Sequence, residues 1–181
     1  MERLRQAIVS SPVGPLRLVV DGAGALTHLL FASREEAARA PGEPSGRSCL
    51  DEVERQLRAY FAGEREDFDV PLRPAGTPFQ LAVWEALRAI PYAETRSYAQ
   101  QAAAIGRPRA IRAVGAANGR NPISIIVPCH RVVGADGGLI GYGGGIAQKR
   151  WLLDHERRTR TGQLRLASSS SPASHGQETG R

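Results

Sequence analysis

Ile123-Ser124-Ile125-Ile126-Val127-Pro128-Cys129-His130-Arg131-Val132-Val133-Gly134-Ala135-Asp136-Gly137-Gly138-Leu139-Ile140-Gly141-Tyr142 is the stretch on which the reading of this 181-residue chain turns. The apolar, β-branched run Ile123, Ile125, Ile126 and Val127 has the length of a buried strand. Pro128 ends that strand, because proline has no N–H to give to a ladder. A thiol, an imidazole and a guanidinium, Cys129, His130 and Arg131, then leave its end together. Sulfur is a strong nucleophile only as thiolate, and a neighbouring imidazole or cation favours that form. The competing reading is a buried cysteine serving as a small hydrophobe, with His130 and Arg131 on the surface. Four hydrophobes running into Pro-Cys-His-Arg favour chemistry.

Outward from this stretch, Val132-Val133, a turn through Ala135-Asp136-Gly137, and Leu139-Ile140 predict a wing-like hairpin. The glycines around Tyr142 form a tight loop. They fit neither a dinucleotide fingerprint nor a Walker loop, since Lys149 is not preceded by Gly or followed by Ser or Thr. A helix follows from Ile146 to about Glu156, with Trp151 and Leu152 buried. Judged alone, Glu156 reads as a solvated helix end.

Upstream, Thr77-Pro78 is an N-cap with a first-turn proline. It opens a helix with the stripe Phe79, Val83, Trp84, Leu87 and Ile90, which Pro91 ends. Ser97-Tyr98-Ala99-Gln100 is a capping-box pattern for a short helix to about Ala104. Gly106 breaks it, and Pro108 opens another helix to about Asn118. Helix, short turn, helix is a helix-turn-helix arrangement. In the second helix Ala110, Ala113, Gly115, Ala116 and Ala117 are small, and Arg107, Arg109, Arg112 and Arg120 are basic. Small side chains let a helix approach a groove, and arginines meet phosphates or enter the stack. An alanine-rich helix packed on a neighbour explains the alanines equally well, but not the four arginines.

The N-terminal part predicts strands at Gln6–Val9, Leu16–Val20 and Leu26–Phe31, joined by turns at Gly14-Pro15 and Asp21 to Gly24. Pro41 to Ser48 reads as a flexible loop. Cys49 to Phe61 reads as an amphipathic helix, and Phe68 to Gly76 as a linker. Cys49 and His28 read as structural; no second ligand stands near Cys49 at zinc spacing, so no metal is expected. The organisation expected is residues 1–75 as an α/β unit, 76–157 as a second unit, and 158–181 as a disordered tail that includes His175.

The formal charge of +6 is uneven. Residues 1–75 carry ten arginines against twelve acids, whereas residues 76–181 carry fourteen basic residues against six acids. That asymmetry points the C-terminal part at a polyanion. Arginine-rich composition alone could also produce it, since Lys149 is the single lysine. No eighteen-residue apolar run and no apolar leader are present, so neither a membrane span nor a secretory signal is expected. Two cysteines make no disulfide framework, and a reducing cytoplasm is the expected compartment.

The chain resembles the O6-alkylguanine-DNA alkyltransferases, strongly over Thr77 to Glu156. The matching words are Asn121-Pro122, Pro128-Cys129-His130-Arg131-Val132-Val133, Gly141-Tyr142 and Trp151-Leu152-Leu153-Asp154-His155-Glu156. Phe79-Gln80, Val83-Trp84, Ile90-Pro91-Tyr92, Ser97-Tyr98 and Arg112-Ala113-Val114-Gly115 match in order before them. The resemblance implies an α+β protein: a ribonuclease-H-like antiparallel sheet with a helix, then a winged helix-turn-helix. It implies a monomer that repairs double-stranded DNA without a cofactor, moving an alkyl group from O6-alkylguanine, and from O4-alkylthymine, to Cys129 once per molecule. In that reading His130 deprotonates Cys129 through a water and Glu156 orients the imidazole. Asn121 braces the turn, and Tyr98 donates to guanine. Arg112 fills the base stack. Tyr142 and the Gly143 N–H line the pocket, and the Val132 carbonyl accepts from the guanine amine. Ser97, Ala110, Ala113, Ala116 and Arg131 complete the DNA-facing set. Gly143 stands where some members carry Ser, and Ser124 where Pro is common. Three other readings stay open on residues alone: recognition of alkylguanine without transfer, a winged-helix regulator, and a Cys-His hydrolase.

Overall fold

Three short strands, β1 (Arg5–Val9), β2 (Leu16–Val20) and β3 (Leu26–Phe31), form an antiparallel sheet in the order β1-β2-β3. The computed structural model describes residues 4–39 and 49–162. Alternation decides which face is covered: Leu16, Leu18 and Val20 point into the core, while Arg17 and Val19 between them stay half-exposed. Ala7 pairs with Leu18 and Leu18 with Leu29, so one apolar row crosses the sheet. Helix α2 (Cys49–Phe61) lays Leu50, Val53, Leu57 and Tyr60 on that row. A short helix not foreseen, α1 (Arg34–Arg39), follows β3. Its signal was the Ser33-x-x-Glu36 capping box, in which Ser33 Oγ accepts from Glu36 N–H at 3.1 Å and the Glu36 carboxylate accepts from Ser33 N–H at 2.7 Å. The expected Pro41–Ser48 loop lies outside the described residues.

The free side of β3 is not left open. The expected linker runs beside it, with Leu26 N–H donating to Pro71 O at 2.8 Å and Arg73 N–H to Leu26 O at 2.9 Å. Further along, Leu29 N–H donates to Pro122 O and Ser124 N–H to Leu29 O, both at 2.9 Å. Prolines suit this edge because only their carbonyls are needed there. Gln56 of α2 pins the linker, donating to Asp69 O at 3.0 Å and accepting from Asp69 N–H at 2.8 Å.

The second half of the described chain is mainly helical, with α3 (Pro78–Arg88), α4 (Tyr98–Ala104), α5 (Ile111–Gly119) and α6 (Ile146–Arg160). The Ser97/Gln100 capping box forms as expected, and Thr77 caps α3 with a box to Gln80 that was not foreseen. Trp84 of α3 crosses to α5, its indole N–H donating to Ala117 O at 2.9 Å. Gly106 turns the chain in the left-handed region at φ 69°. The next helix begins at Ile111, not Pro108, because residues 107–110 form a turn closed by Ala110 N–H to Arg107 O at 2.8 Å.

Three expectations fail here. Ile123 to Val127 is buried but is no strand: only Ile123 bridges to Leu29, and the chain then coils, with Val127 N–H bonding Ile123 O at 3.0 Å. Ile125 sits at φ 70°, a conformation costly for a β-branched residue, so the surrounding packing must impose it. The wing is not a hairpin. Val132–Val133 (β5) pairs in parallel with Arg96–Ser97 (β4), and Leu139-Ile140 stays irregular. The turn still closes through Gly134 N–H to Gly138 O at 2.8 Å. Finally α6 runs on to Arg160, and Trp151 is only half-buried while Leu152 is fully buried. The tail from residue 163 lies outside the described residues.

Leu29 is fully buried and carries both β2 and the Pro122–Ser124 segment on its backbone. Leu29→Ala should lower stability by about 3 kcal/mol, the usual scale for a buried Leu truncation. In urea unfolding this appears as a lower midpoint with an unchanged slope.

Candidate active site

Asn121 is the brace around which the site is built. Its Oδ1 accepts from Ile123 N–H at 3.0 Å, and its Nδ2 donates to Val127 O at 2.8 Å and to Cys129 Sγ at 3.1 Å. One side chain therefore ties both ends of the Ile123–Val127 coil and reaches the sulfur. After Pro128 the chain makes one 3-10 turn, Cys129–Arg131. Three residues per turn send three consecutive side chains in three directions. This spacing lets Cys129 face one way while its neighbours reach α6.

His130 Nε2 lies 2.8 Å from Glu156 Oε1, with both side chains fully buried. An ionised carboxylate only accepts, so Nε2 carries the proton and Nδ1 the lone pair. Nδ1 meets no protein partner among the described residues. The pair is thus a base whose free lone pair has been left uncommitted.

Glu156 holds far more than the imidazole. Arg131 Nε donates to its two oxygens at 3.2 and 3.0 Å, and Arg131 Nη2 to Oε1 at 2.9 Å. Ala93 N–H donates at 3.0 Å and Tyr60 Oη–H at 2.8 Å. Burial by itself would raise the carboxyl pKa, but His130 and Arg131 together outweigh it and hold Glu156 well below the usual carboxylate range. Burial lowers the His130 pKa, with Glu156 opposing, so the imidazole is neutral near pH 7. Burial also raises the Cys129 thiol, against Asn121 and Lys149. The resting pair is therefore thiol and neutral imidazole, with no standing thiolate.

Arg131 is a correction. Expected among the DNA-facing residues, it is turned inward at 7% exposure, its Nη1 on Ile90 O at 2.7 Å and its guanidinium over the Tyr92 ring. The buried charge of Glu156 draws it there, since an unpaired carboxylate in the core would be far costlier.

Lys149 went unremarked as a site residue. It is fully buried, and Nζ donates to Val132 O at 2.6 Å and Ile140 O at 2.9 Å beneath the Tyr98 ring. The signal was available: Lys149, Leu152, Glu156 and Thr159 share one helical stripe, so both charges lie on the buried face of α6. The Val132 carbonyl thus already has one donor and keeps its second lone pair.

The loop from Gly138 to Gly145 brings Tyr142 close to Cys129 and His130. Tyr98 Oη–H donates to Ile140 O at 3.2 Å, and the Tyr142 ring packs edge-on against Phe31 and His130. Burial raises both phenols, and nearby Cys129 adds to it, so both are protonated donors. Tyr142 Oη is buried with no protein partner among the described residues. Gly143 is exposed, whereas a Cβ at Gly144 would strike the Phe31 ring at 2.3 Å.

Beside the loop, α5 shows an outer face of Ile111, Arg112, Ala113, Ala116 and Arg120, with Val114 and Ala117 inward. Arg107 and Arg109 are exposed next to it, and Ala110 is half-buried. The Tyr98 ring lies beside Gly115, where an added Cβ would make ordinary contact at 3.8 Å. Ser97 spends its hydroxyl on the α4 cap, accepting from Gln100 N–H at 3.1 Å. The arrangement joins a braced thiol, an oriented base, two phenol donors and a basic, small-residue helix face.

Residues 4–74 match the family described as 6-O-methylguanine DNA methyltransferase, ribonuclease-like domain. Residues 78–158 match the one described as 6-O-methylguanine DNA methyltransferase, DNA binding domain. The methylated-DNA–protein-cysteine methyltransferase of Mycobacterium tuberculosis is 52% identical over 159 residues, covering 87% of this chain and 95% of the relative. That of Methanosarcina barkeri is 49% identical over 150 residues, covering 82% and 94%. Among solved structures, the M. tuberculosis O6-methylguanine methyltransferase aligns with TM-score 0.76 at 47% identity, covering 91% of this chain and 99% of that one. The M. tuberculosis OGT in complex with DNA aligns with TM-score 0.75 at 50% identity, covering 84% and 92%.

A carboxyl whose folded-state pKa is depressed adds stability that is complete above its unfolded value, about 4.3, and is lost as pH falls through the folded value. Glu156→Gln should therefore be less stable by about 3 to 5 kcal/mol at pH 7, the usual scale for breaking a buried pair. Its acid destabilisation should be shallower than that of the wild type. Denaturant titrations between pH 7 and 3 check both.

Proposed function

The chain belongs to the 6-O-methylguanine DNA methyltransferase family, a repair enzyme that moves an alkyl group from DNA to its own cysteine, and we propose that Cys129 is the acceptor. The observation that carries this is Cys129 Sγ, braced by Asn121 at 3.1 Å, one residue from an imidazole fixed on a buried carboxylate. Sγ attacks the alkyl carbon of O6-alkylguanine. The S–C bond forms as the C–O6 bond breaks, and the bonding pair stays with guanine. The thiol proton passes through a water to His130 Nδ1. Tyr98 gives guanine a proton so that it leaves neutral, and the proton on His130 restores the phenol. Because thiol and imidazole are both neutral at rest, proton transfer accompanies attack. The thioether product has no base that could return it to a thiol, so each molecule acts once.

A buried nucleophile cannot reach a base inside a duplex, so the nucleotide rotates out, which the lesion's weakened pairing makes easier. Arg112, exposed on α5, fills the vacated stack while Ala113 and Ala116 let the backbone approach and Ala110 and Ser97 flank the strand. Tyr142 and Gly143 N–H line the alkyl pocket, and the Val132 carbonyl offers its second lone pair to the guanine amine. O4-alkylthymine presents the same ether and is a second substrate. The protein acts as a monomer in the cytoplasm, with residues 1–75 as support and 76–157 as the DNA-binding and acceptor unit. The family matches, which divide between 74 and 78, support that division.

Duplex DNA carrying one methyl-labelled O6-methylguanine tests the reading. The label should move to Cys129, at no more than one per molecule, and not at all in Cys129→Ala, which should still bind the duplex. Label left on guanine despite tight binding would favour recognition without transfer. Label released to water with turnover would favour a Cys-His hydrolase.

A further inference from the structure

Tyr60 stands 96 positions before Glu156 in the chain and in the other half of the molecule, yet its hydroxyl lies 2.8 Å from Glu156 Oε1. It is fully buried on α2. Its ring packs among Phe61, Phe68, Tyr92 and His155, and its backbone carbonyl accepts from His155 Nε2 at 2.8 Å. Ring and backbone are therefore fixed against the very turn of α6 that carries Glu156. Oε1 is also the oxygen that holds His130.

We propose that Tyr60 is a positioning residue of the transfer site, its hydroxyl setting Glu156 Oε1 under His130 Nε2 so that Nδ1 is aimed at the thiol. This rests on the roles given to Cys129 and His130 above. Arg131 Nε is shared between the two carboxylate oxygens and the Ala93 N–H holds Oε2, so these donors set the plane of the carboxylate. The Tyr60 hydroxyl approaches from α2 and adds a donor on Oε1, the oxygen that meets His130. It also draws charge from Oε1 and so weakens the carboxylate's pull on a protonated imidazole. The acceptor site is then completed by a side chain from the half of the protein that would otherwise serve only as support. A tyrosine kept merely for packing would need its hydroxyl satisfied but would leave His130 indifferent to it.

The test uses the full chain and Tyr60→Phe, which keeps the ring. The groups facing the pair are Arg131, Tyr92 and the Ala93 N–H around Glu156, and Lys149 and Tyr142 around His130. None of them is altered. Removing a donor from Oε1 strengthens the carboxylate's hold on imidazolium, so His130 should protonate at higher pH. Single-turnover transfer should slow about 10-fold, the low end of the loss seen when a metal-bound histidine loses the partner that orients it, with duplex affinity unchanged. The acid limb of the rate should move to higher pH. Ring ¹⁵N NMR of His130 in the free protein should show the same move without any transfer. If Tyr60→Phe does not fold, 3-fluorotyrosine at position 60, a stronger donor of the same shape, should move the His130 midpoint the other way. Unchanged rate and midpoint in a folded Tyr60→Phe overturn the proposal, as does an unmoved midpoint in the fluorotyrosine protein. A wild-type chain that transfers no label while the His130 midpoint still responds to position 60 would overturn the transfer reading and leave the positioning role standing.

Discussion

One buried carboxylate holds this molecule together. Glu156 accepts from His130, Arg131, Tyr60 and the Ala93 backbone, groups that arrive from the 3-10 turn, from α2 and from the chain after α3. A charge so far from water is tolerated only when its lone pairs are filled, so each of these elements is required to be where it is. The demand explains why Arg131 turns inward, why α6 must carry a glutamate on its apolar stripe, and why the imidazole has a single tautomer. The same carboxylate that would orient the base also fastens the sheet-bearing half to the helical half. Function and architecture share one atom pair.

The sheet and most helices were legible because their signals are local. Period-two alternation in β2 fixes which side faces the core, and the Thr77-Pro78 cap and the Ser97/Gln100 box place two helix starts to the residue. The failures have one physical source. Ile123 to Val127 has the composition of a strand, yet Asn121 folds it into a coil through contacts no periodicity encodes. Val132–Val133 found its partner in Arg96–Ser97, not in the nearby Leu139-Ile140, since the Ile140 carbonyl is taken by Lys149 and Tyr98. Short apolar pairs beside glycines carry too little register information to decide such a choice.

The site divides in the same way. Cys129 and His130 announce themselves by chemistry and adjacency. Glu156 taken alone reads as a solvated helix end, and only the family resemblance raised it. Lys149 and Tyr60 were passed over because a lysine and a stripe tyrosine are ordinary residues until their partners are known. What made them legible in space was burial: a fully buried ammonium and a fully buried hydroxyl each require an acceptor, and those acceptors lie in the site.

The edge of β3 is closed by the linker and by the segment leading into the Cys129 turn. That closure makes the turn a guard against aggregation. Were it to come loose, two hazards would surface together: an unpaired strand edge, and Ile123, Ile125, Ile126 and Val127, a short β-branched run without charge. Asn121 and Pro122 before the run and Pro128 after it are poor strand formers, and they act as gatekeepers that discourage intermolecular pairing. A substitution that loosens this turn would thus put solubility at risk together with the chemistry proposed for Cys129.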